Sequence, residues 1–113
     1  MKTVLIIDDA KFMMDRLIDI LEEVGQEVVG RAINGEEGVK LYKELKPDLV
    51  FLDINMPVIR GRDALVQIIN FDPDANVVMC STVGSEDGIE ECIEEGAIYY
   101  VLKPFIKDTV IDL

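Results

Sequence analysis

Five short apolar runs recur along the chain, and four of them stop at a polar residue. They are "TVLIID" ending at Asp8, "EVVGRA", "DLVFLD" ending at Asp53, "NVVMCS" ending at Ser81 and "IYYVLK" ending at Lys103. Near-continuous β-branched and apolar runs of this length suit strands buried on both faces. Between them the apolar residues return at helical spacing. Phe12, Leu17, Ile20, Leu21 and Val24 mark a helix from Lys11 that stops at Gly25. "NGEEGVKLYKEL" reads as a second, with Val39, Tyr42 and Leu45 along one face, Asn34 as its cap and Pro47 beyond its end. A loop "NMPVIRG", punctuated by Pro57 and Gly61, precedes a third helix marked by Ala64, Leu65, Ile68 and Ile69. "EDGIEECIEEG" is a fourth, with Ile89, Cys92 and Ile93 inward, and after "KPF" the stretch "IKDTVIDL" leaves room only for a short last helix.

Strand and helix therefore alternate five times. That order predicts an α/β fold, a doubly wound parallel sheet with helices on both faces. Right-handed crossovers place the C-terminal ends of all strands on one edge, where ligands of open α/β sheets collect. At 113 residues the chain is one domain, 1–113, large enough to bury roughly 60 to 70% of its unfolded surface.

Composition narrows the functions. Acidic residues number 23 against 11 basic, with no histidine, for a formal net charge of -12. Such a surface disfavours a direct grip on nucleic acid or anionic lipid, each phosphate contact wanting a Lys or Arg. No run is long enough to span a bilayer and the N-terminus lacks the order of an export signal, so the expected location is the cytoplasm, without membrane insertion. Cys80 and Cys92 read as two small buried hydrophobes in a reducing compartment. Without histidine, they offer no zinc site.

The polar strand ends carry the chemistry. Asp8, Asp9, Asp53, Ser81 and Lys103 all fall on the same sheet edge if the fold is as predicted. Alone, each has a bland reading as a cap, a turn former or a solvated lysine; five together on one edge do not. Three carboxylates raise one another's pKa unless a positive charge intervenes, and Mg2+, which takes carboxylates, waters and phosphate oxygens, is the natural remedy. With Mg2+ and the Lys103 ammonium the cluster is neutral, and converting one carboxylate to an acyl phosphate raises it only to about -1. Asp53 is then the nucleophile, with Lys103 and the Ser81 hydroxyl holding phosphoryl oxygens, and catalysis is chiefly placement and charge stabilisation. The Lys103–Pro104 bond is a candidate for the cis isomer.

In their order and spacing, "IIDDAKFM", "FLDINMP", "CST" and "EGAIYYVLKPF" resemble the receiver domain of bacterial and archaeal two-component response regulators, and within it the stand-alone chemotaxis members. The likeness covers essentially the whole chain. It implies a flavodoxin-like sheet of order 2-1-3-4-5, phosphorylation at Asp53, Mg2+ held directly by Asp9, Asp53 and the Asn55 carbonyl and by Asp8 largely through water, and a switch made of Ser81 and Tyr100 beside the lysine Lys103. It also implies a histidine kinase as donor and an output protein, a flagellar motor switch component being one candidate, reached through the face around the fourth helix. The expected activity is limited to self-phosphorylation and autodephosphorylation, short of an enzyme with a separate substrate. Three departures stand out. Arg60 precedes Gly61 where the family commonly has an acidic or amide residue, Val83 is apolar where chemotaxis members often carry Glu, and the last helix is short.

From Asp63 to Leu102 there is no Lys or Arg, while Glu86, Asp87, Glu90, Glu91, Glu94 and Glu95 crowd the fourth helix. That is a solvated, solubilising face or one that pairs with a basic partner. By alternation Tyr99 is expected on the opposite side of the sheet from Tyr100.

Rival functions fit less well. A phosphatase of the haloacid dehalogenase type carries its nucleophile on the first strand, followed two residues on by a second acid; here "DIN" lies on the third and ends in Asn55. No G-x-G-x-x-G or phosphate-binding lysine loop is present. A receiver half of a longer DNA-binding transcriptional regulator, or a degenerate receiver acting only by binding, remain as alternatives.

Overall fold

A computed structural model describes residues 2–56, 59–82, 86–110 and 113. Pro57, Val83, Ile111 and Asp112 lie outside the described residues. The elements run β1 (Thr3–Ile7), α1 (Lys11–Glu23), β2 (Glu27–Ala32), α2 (Gly35–Leu45), β3 (Leu49–Asp53), α3 (Gly61–Phe71), β4 (Val77–Thr82), α4 (Ile89–Glu94), β5 (Tyr99–Lys103) and α5 (Lys107–Val110). The strands form one sheet of order β2-β1-β3-β4-β5, and every pairing is parallel.

Alternate side chains of a strand point to opposite faces, and here both faces are covered. Leu5, Ile7, Val50, Leu52, Val77 and Met79 pack against Val39 and Tyr42 of α2, Leu65 and Ile68 of α3, and Ile89 and Cys92 of α4. On the other face Val4, Ile6, Phe51, Val78, Cys80 and Val101 meet Met14, Leu17, Ile20 and Leu21 of α1, with Phe105 and Val110 from the α5 region. This is why the strands read as unbroken apolar runs. Both cysteines are buried and free.

Local signals explain the helix ends. Asn34 accepts the Glu37 N–H at 2.8 Å, capping α2, and α2 ends at Leu45 with Lys46 in the left-handed region before Pro47. Gly25, at φ 87°, follows α1. The Lys103–Pro104 bond is cis.

Four positions differ from the sequence reading. Phe12 is 79% exposed; Met14 holds the inward position, and two positions along a helix lie about 200° apart. Leu45 and Ile93 are also exposed, Leu45 at the last residue of its helix and Ile93 one step round from buried Cys92. The fourth helix starts at Ile89 rather than Glu86, because Gly88 sits at φ 91° and interrupts helical geometry.

Candidate functional site

The sheet brings four of the expected residues into one cluster. Asp8 follows β1 and Asp53 ends β3, and the two strands are neighbours. Lys103 ends β5, two strand spacings from β3, about 10 Å away, a span that an extended lysine closes together with the aspartate side chains that reach toward it. Its Nζ lies 2.6 Å from Asp8 Oδ2 and 3.3 Å from Asp53 Oδ2. All three side chains are buried.

The second oxygens are held by backbone. Asp8 Oδ1 accepts the Ala10 N–H at 2.8 Å, and Asp53 Oδ1 accepts the Asn55 N–H at 3.1 Å. Each is an aspartate closing on the amide two residues ahead, which fixes the carboxylate plane. Asp9 is exposed. One carboxylate oxygen from each of Asp8, Asp9 and Asp53 falls within 4.8 Å of the others.

Electrostatics follow from burial. Removal from water raises the Asp53 carboxyl to about 7, with Asp8 adding to the rise while Lys103 and the Asn55 N–H oppose it. For Lys103 burial works against the ammonium, but the bonds to Asp8 and Asp53 outweigh it and its pKa stands above the ordinary lysine value. Burial pushes the Cys80 thiol up, so it is no thiolate nucleophile. The donor set is carboxylate oxygen throughout, one edge of it open at Asp9. It fits a hard divalent cation such as Mg2+ and not a site for zinc.

The other expected residues lie around this cluster. Ser81 is fully buried at the end of β4, one residue past Cys80, the register partner of Asp53; its Oγ donates to the Thr82 carbonyl at 3.0 Å. Asn55 is exposed and engages Asp53 through its N–H. Tyr100 stands apart on β5, half exposed, and lines a groove against α4. Tyr99 does not line that groove, and its ring centroid lies 5.9 Å from that of Tyr100.

Two features of the site were not assigned from sequence. Gly61 was read only as loop punctuation. A Cβ there would overlap the Asp53 carbonyl oxygen, and its N–H donates to Ile54 O at 3.1 Å, so the loop after β3 closes directly on Asp53. The signal was a glycine immediately opening a helix. Arg62, next in sequence, pairs with Glu95 beyond α4 at 3.0 Å; nothing local in the sequence joins these two.

Comparison with known proteins places the whole arrangement. The response regulator receiver domain family matches residues 4–113. The chain is 46% identical to the chemotaxis protein CheY of Thermotoga maritima, over 98% of this chain and 92% of that protein. It is 43% identical to the chemotaxis protein CheY of Halobacterium salinarum, again over 98% and 92%. Among solved structures it resembles a chain of the CheX–CheY–BeF3–Mg2+ complex from Borrelia burgdorferi at a TM-score of 0.91 and 36% identity, covering 97% of this chain and 84% of that one. With a strand-edge carboxylate cluster bridged by a lysine, the fold's sheet order and these matches in agreement, the chain belongs to the response regulator receiver domain family.

Proposed function

We propose that this chain is a chemotaxis-type signalling switch, one receiver domain over 1–113, which accepts a phosphoryl group on Asp53 and changes its partner binding in response. The observation that carries the reading is the buried bridge of Lys103 to both Asp8 and Asp53, with Asp9 at its open side. The Asp53 carboxylate oxygen attacks the phosphorus of a kinase phosphohistidine or a small acyl phosphate. The P–N or P–O bond breaks, the leaving group takes the electron pair, and an acyl phosphate remains.

The Lys103 ammonium and the Ser81 hydroxyl hold phosphoryl oxygens, so no general base is required of a chain without histidine. Asp9, Asp53 and the Asn55 carbonyl would hold Mg2+ directly and Asp8 largely through water, and the ion when bound supplies positive charge to the phosphoryl oxygens. Water later cleaves the acyl phosphate. The chain is thus a switch that modifies and restores itself, without a separate substrate to turn over.

Ser81 and Tyr100 carry the state outward. Ser81 shares β4 with Cys80 beside Asp53, and Tyr100 faces α4 from the neighbouring strand. The donor is a histidine kinase. The output partner, a flagellar motor switch component being one candidate, binds at the acidic face around α4. No helix among the described residues is long and apolar enough to cross a membrane, and the net charge of -12 opposes direct contact with nucleic acid; the location proposed for the switch is the cytoplasm.

The test is Mg2+ titration of wild type and an Asp9→Asn variant, followed by backbone amide shifts, with BeF3 then added as a phosphoryl mimic. In wild type Mg2+ moves the amides of residues 8–10 and 53–55, and BeF3 then moves those of Ser81 and Tyr100. Asp9→Asn weakens the first step at least about tenfold. Shifts confined to α2 and α3, or none, contradict the assignment.

A further inference from the structure

We propose that the Arg62–Glu95 ion pair latches α4 to the loop after β3 and so restrains phosphorylation at Asp53. This rests on the switch reading and adds to it a restraint carried by two positioning residues outside the carboxylate cluster.

One end of the latch is fixed at Asp53. The Gly61 N–H donates to the Ile54 carbonyl at 3.1 Å, and a Cβ on Gly61 would overlap the Asp53 carbonyl oxygen. The first turn of α3 therefore cannot shift without the strand end that carries Asp53. Arg62 is the next residue, and its Nη2 lies 3.0 Å from Glu95 Oε1. The bond to Glu95 holds the guanidinium above its ordinary pKa, and Glu91 adds to the rise. Glu91 and Glu95 are four residues apart, so α4 turns both carboxylates toward Arg62.

The other end lies on a helix with hinges at both of its limits. α4 has six residues, with Gly88 at φ 91° before it and Gly96 at φ 121° after Glu95. A Cβ on Gly88 would lie 3.6 Å from Ile54 Cδ1, and one on Gly96 3.1 Å from Ile69 of α3. The start of α4 thus rests on the residue after Asp53, while its end is tied back to α3. A cleft of about 370 Å³, lined by Asn55, Arg62, Gly88 and Glu91, separates the helix from the loop and gives it space to move. A change at Asp53 that displaces Ile54 pushes on α4 and strains the pair.

The contact belongs to the free-carboxylate arrangement. Lys103 is engaged by Asp8 and Asp53, the Asn55 N–H by Asp53 and the Ser81 Oγ by the Thr82 carbonyl. The donors assigned to phosphoryl oxygens are thus turned to other acceptors while the pair is closed. A contact made in one state and lost in the other biases the equilibrium by its own strength. Both side chains are half-exposed, which sets the bias at about two- to fivefold.

The test is a BeF3 titration of the full chain in Mg2+, followed by backbone amide shifts, in wild type, Arg62→Gln, Glu95→Gln and the variant carrying both. Glu23→Gln is the control, since it breaks the exposed pair with Lys107 at the far end of α1 and changes net charge as Glu95→Gln does. Both single variants are expected to bind BeF3 about two- to fivefold more tightly than wild type. Before BeF3 is added, their α4 amides should already lie part of the way from the free to the BeF3-bound wild-type positions. The double variant should match the singles within about 1.5-fold, because one interaction is lost in each, and Glu23→Gln should stay within about 1.5-fold of wild type. A charge effect on the site without a latch gives opposite signs, weaker binding in Arg62→Gln and tighter in Glu95→Gln, and overturns the proposal. So do unchanged or weakened binding in both singles, additive gains in the double variant, or an equal gain in Glu23→Gln. If wild type binds BeF3 and shifts Ser81 and Tyr100, any of these results refutes the latch alone. Wild type that does not bind BeF3 in Mg2+ refutes the switch reading, and the latch with it.

Discussion

The Lys103 ammonium sits closer to Asp8, at 2.6 Å, than to Asp53, at 3.3 Å. The lysine is anchored by Asp8, and not by the proposed phosphoryl acceptor Asp53. It neutralises the cluster while leaving Asp53 the less tightly paired of the two, free to exchange one lysine contact for a phosphoryl oxygen.

Removing that ammonium leaves Asp8 and Asp53 facing each other in a buried site. Lys103→Met is expected to cost about 3–5 kcal/mol near neutral pH, the usual consequence of an uncompensated buried charge, and less in acid, where Asp53 takes up a proton. Urea denaturation near pH 5 and pH 8 checks both the size and the trend. The same variant should still bind Mg2+, since its carboxylates are intact, but gain phosphate much more slowly.

The raised Asp53 pKa has a defined sign. In the folded chain burial raises the carboxyl to about 7, against an ordinary value of 3.8. Between these values the folded state holds a proton that the unfolded state has lost, so stability is greatest in acid and falls as pH rises through about 7. Metal-free wild type should therefore show a thermal midpoint that drops between about pH 5 and pH 7.5 relative to Asp53→Asn. Mg2+ should bind more weakly as pH falls below 7, because its ligands must be ionised. A scanning calorimetry series with and without Mg2+ reads both.

Gly61 has no room for a side chain, since a Cβ would overlap the Asp53 carbonyl. Gly61→Ala is expected to destabilise by about 1–3 kcal/mol or more, the cost of forcing atoms into a packed site, and to slow phosphorylation by displacing the acceptor. Equilibrium denaturation and the rate of mass gain measure the two effects.

Asn34 contributes at a distance from the chemistry. Asn34→Ala removes the cap on α2 and should cost about 1 kcal/mol, with phosphorylation unchanged, as denaturant midpoints and intact mass would show.

The sheet was legible because burial on both faces leaves an unambiguous trace, as in "VLII" and "LVFL", and because alternation with helices fixes parallel strands. The site was legible because four of those strands stop at Asp8, Asp53, Ser81 and Lys103. Less legible was anything decided by a single rotation about a helix axis. Phe12 and Ile93 match apolar spacing as well as their buried neighbours do, and only packing shows them facing outward. The start of α4 depends on the positive φ of Gly88, which spacing does not encode. The Arg62–Glu95 pair joins residues brought together only by the packing of α3 on α4.

The central claim is that Asp53 becomes an acyl phosphate. The most direct measurement is to incubate the chain with acetyl phosphate and Mg2+, reduce with borohydride, and locate the product by tandem mass spectrometry. Reduction of an aspartyl phosphate yields homoserine. The account predicts homoserine at position 53 alone, dependent on Mg2+ and absent in Asp53→Asn. Homoserine at position 8 or 9, or none in wild type that demonstrably binds Mg2+, would contradict it.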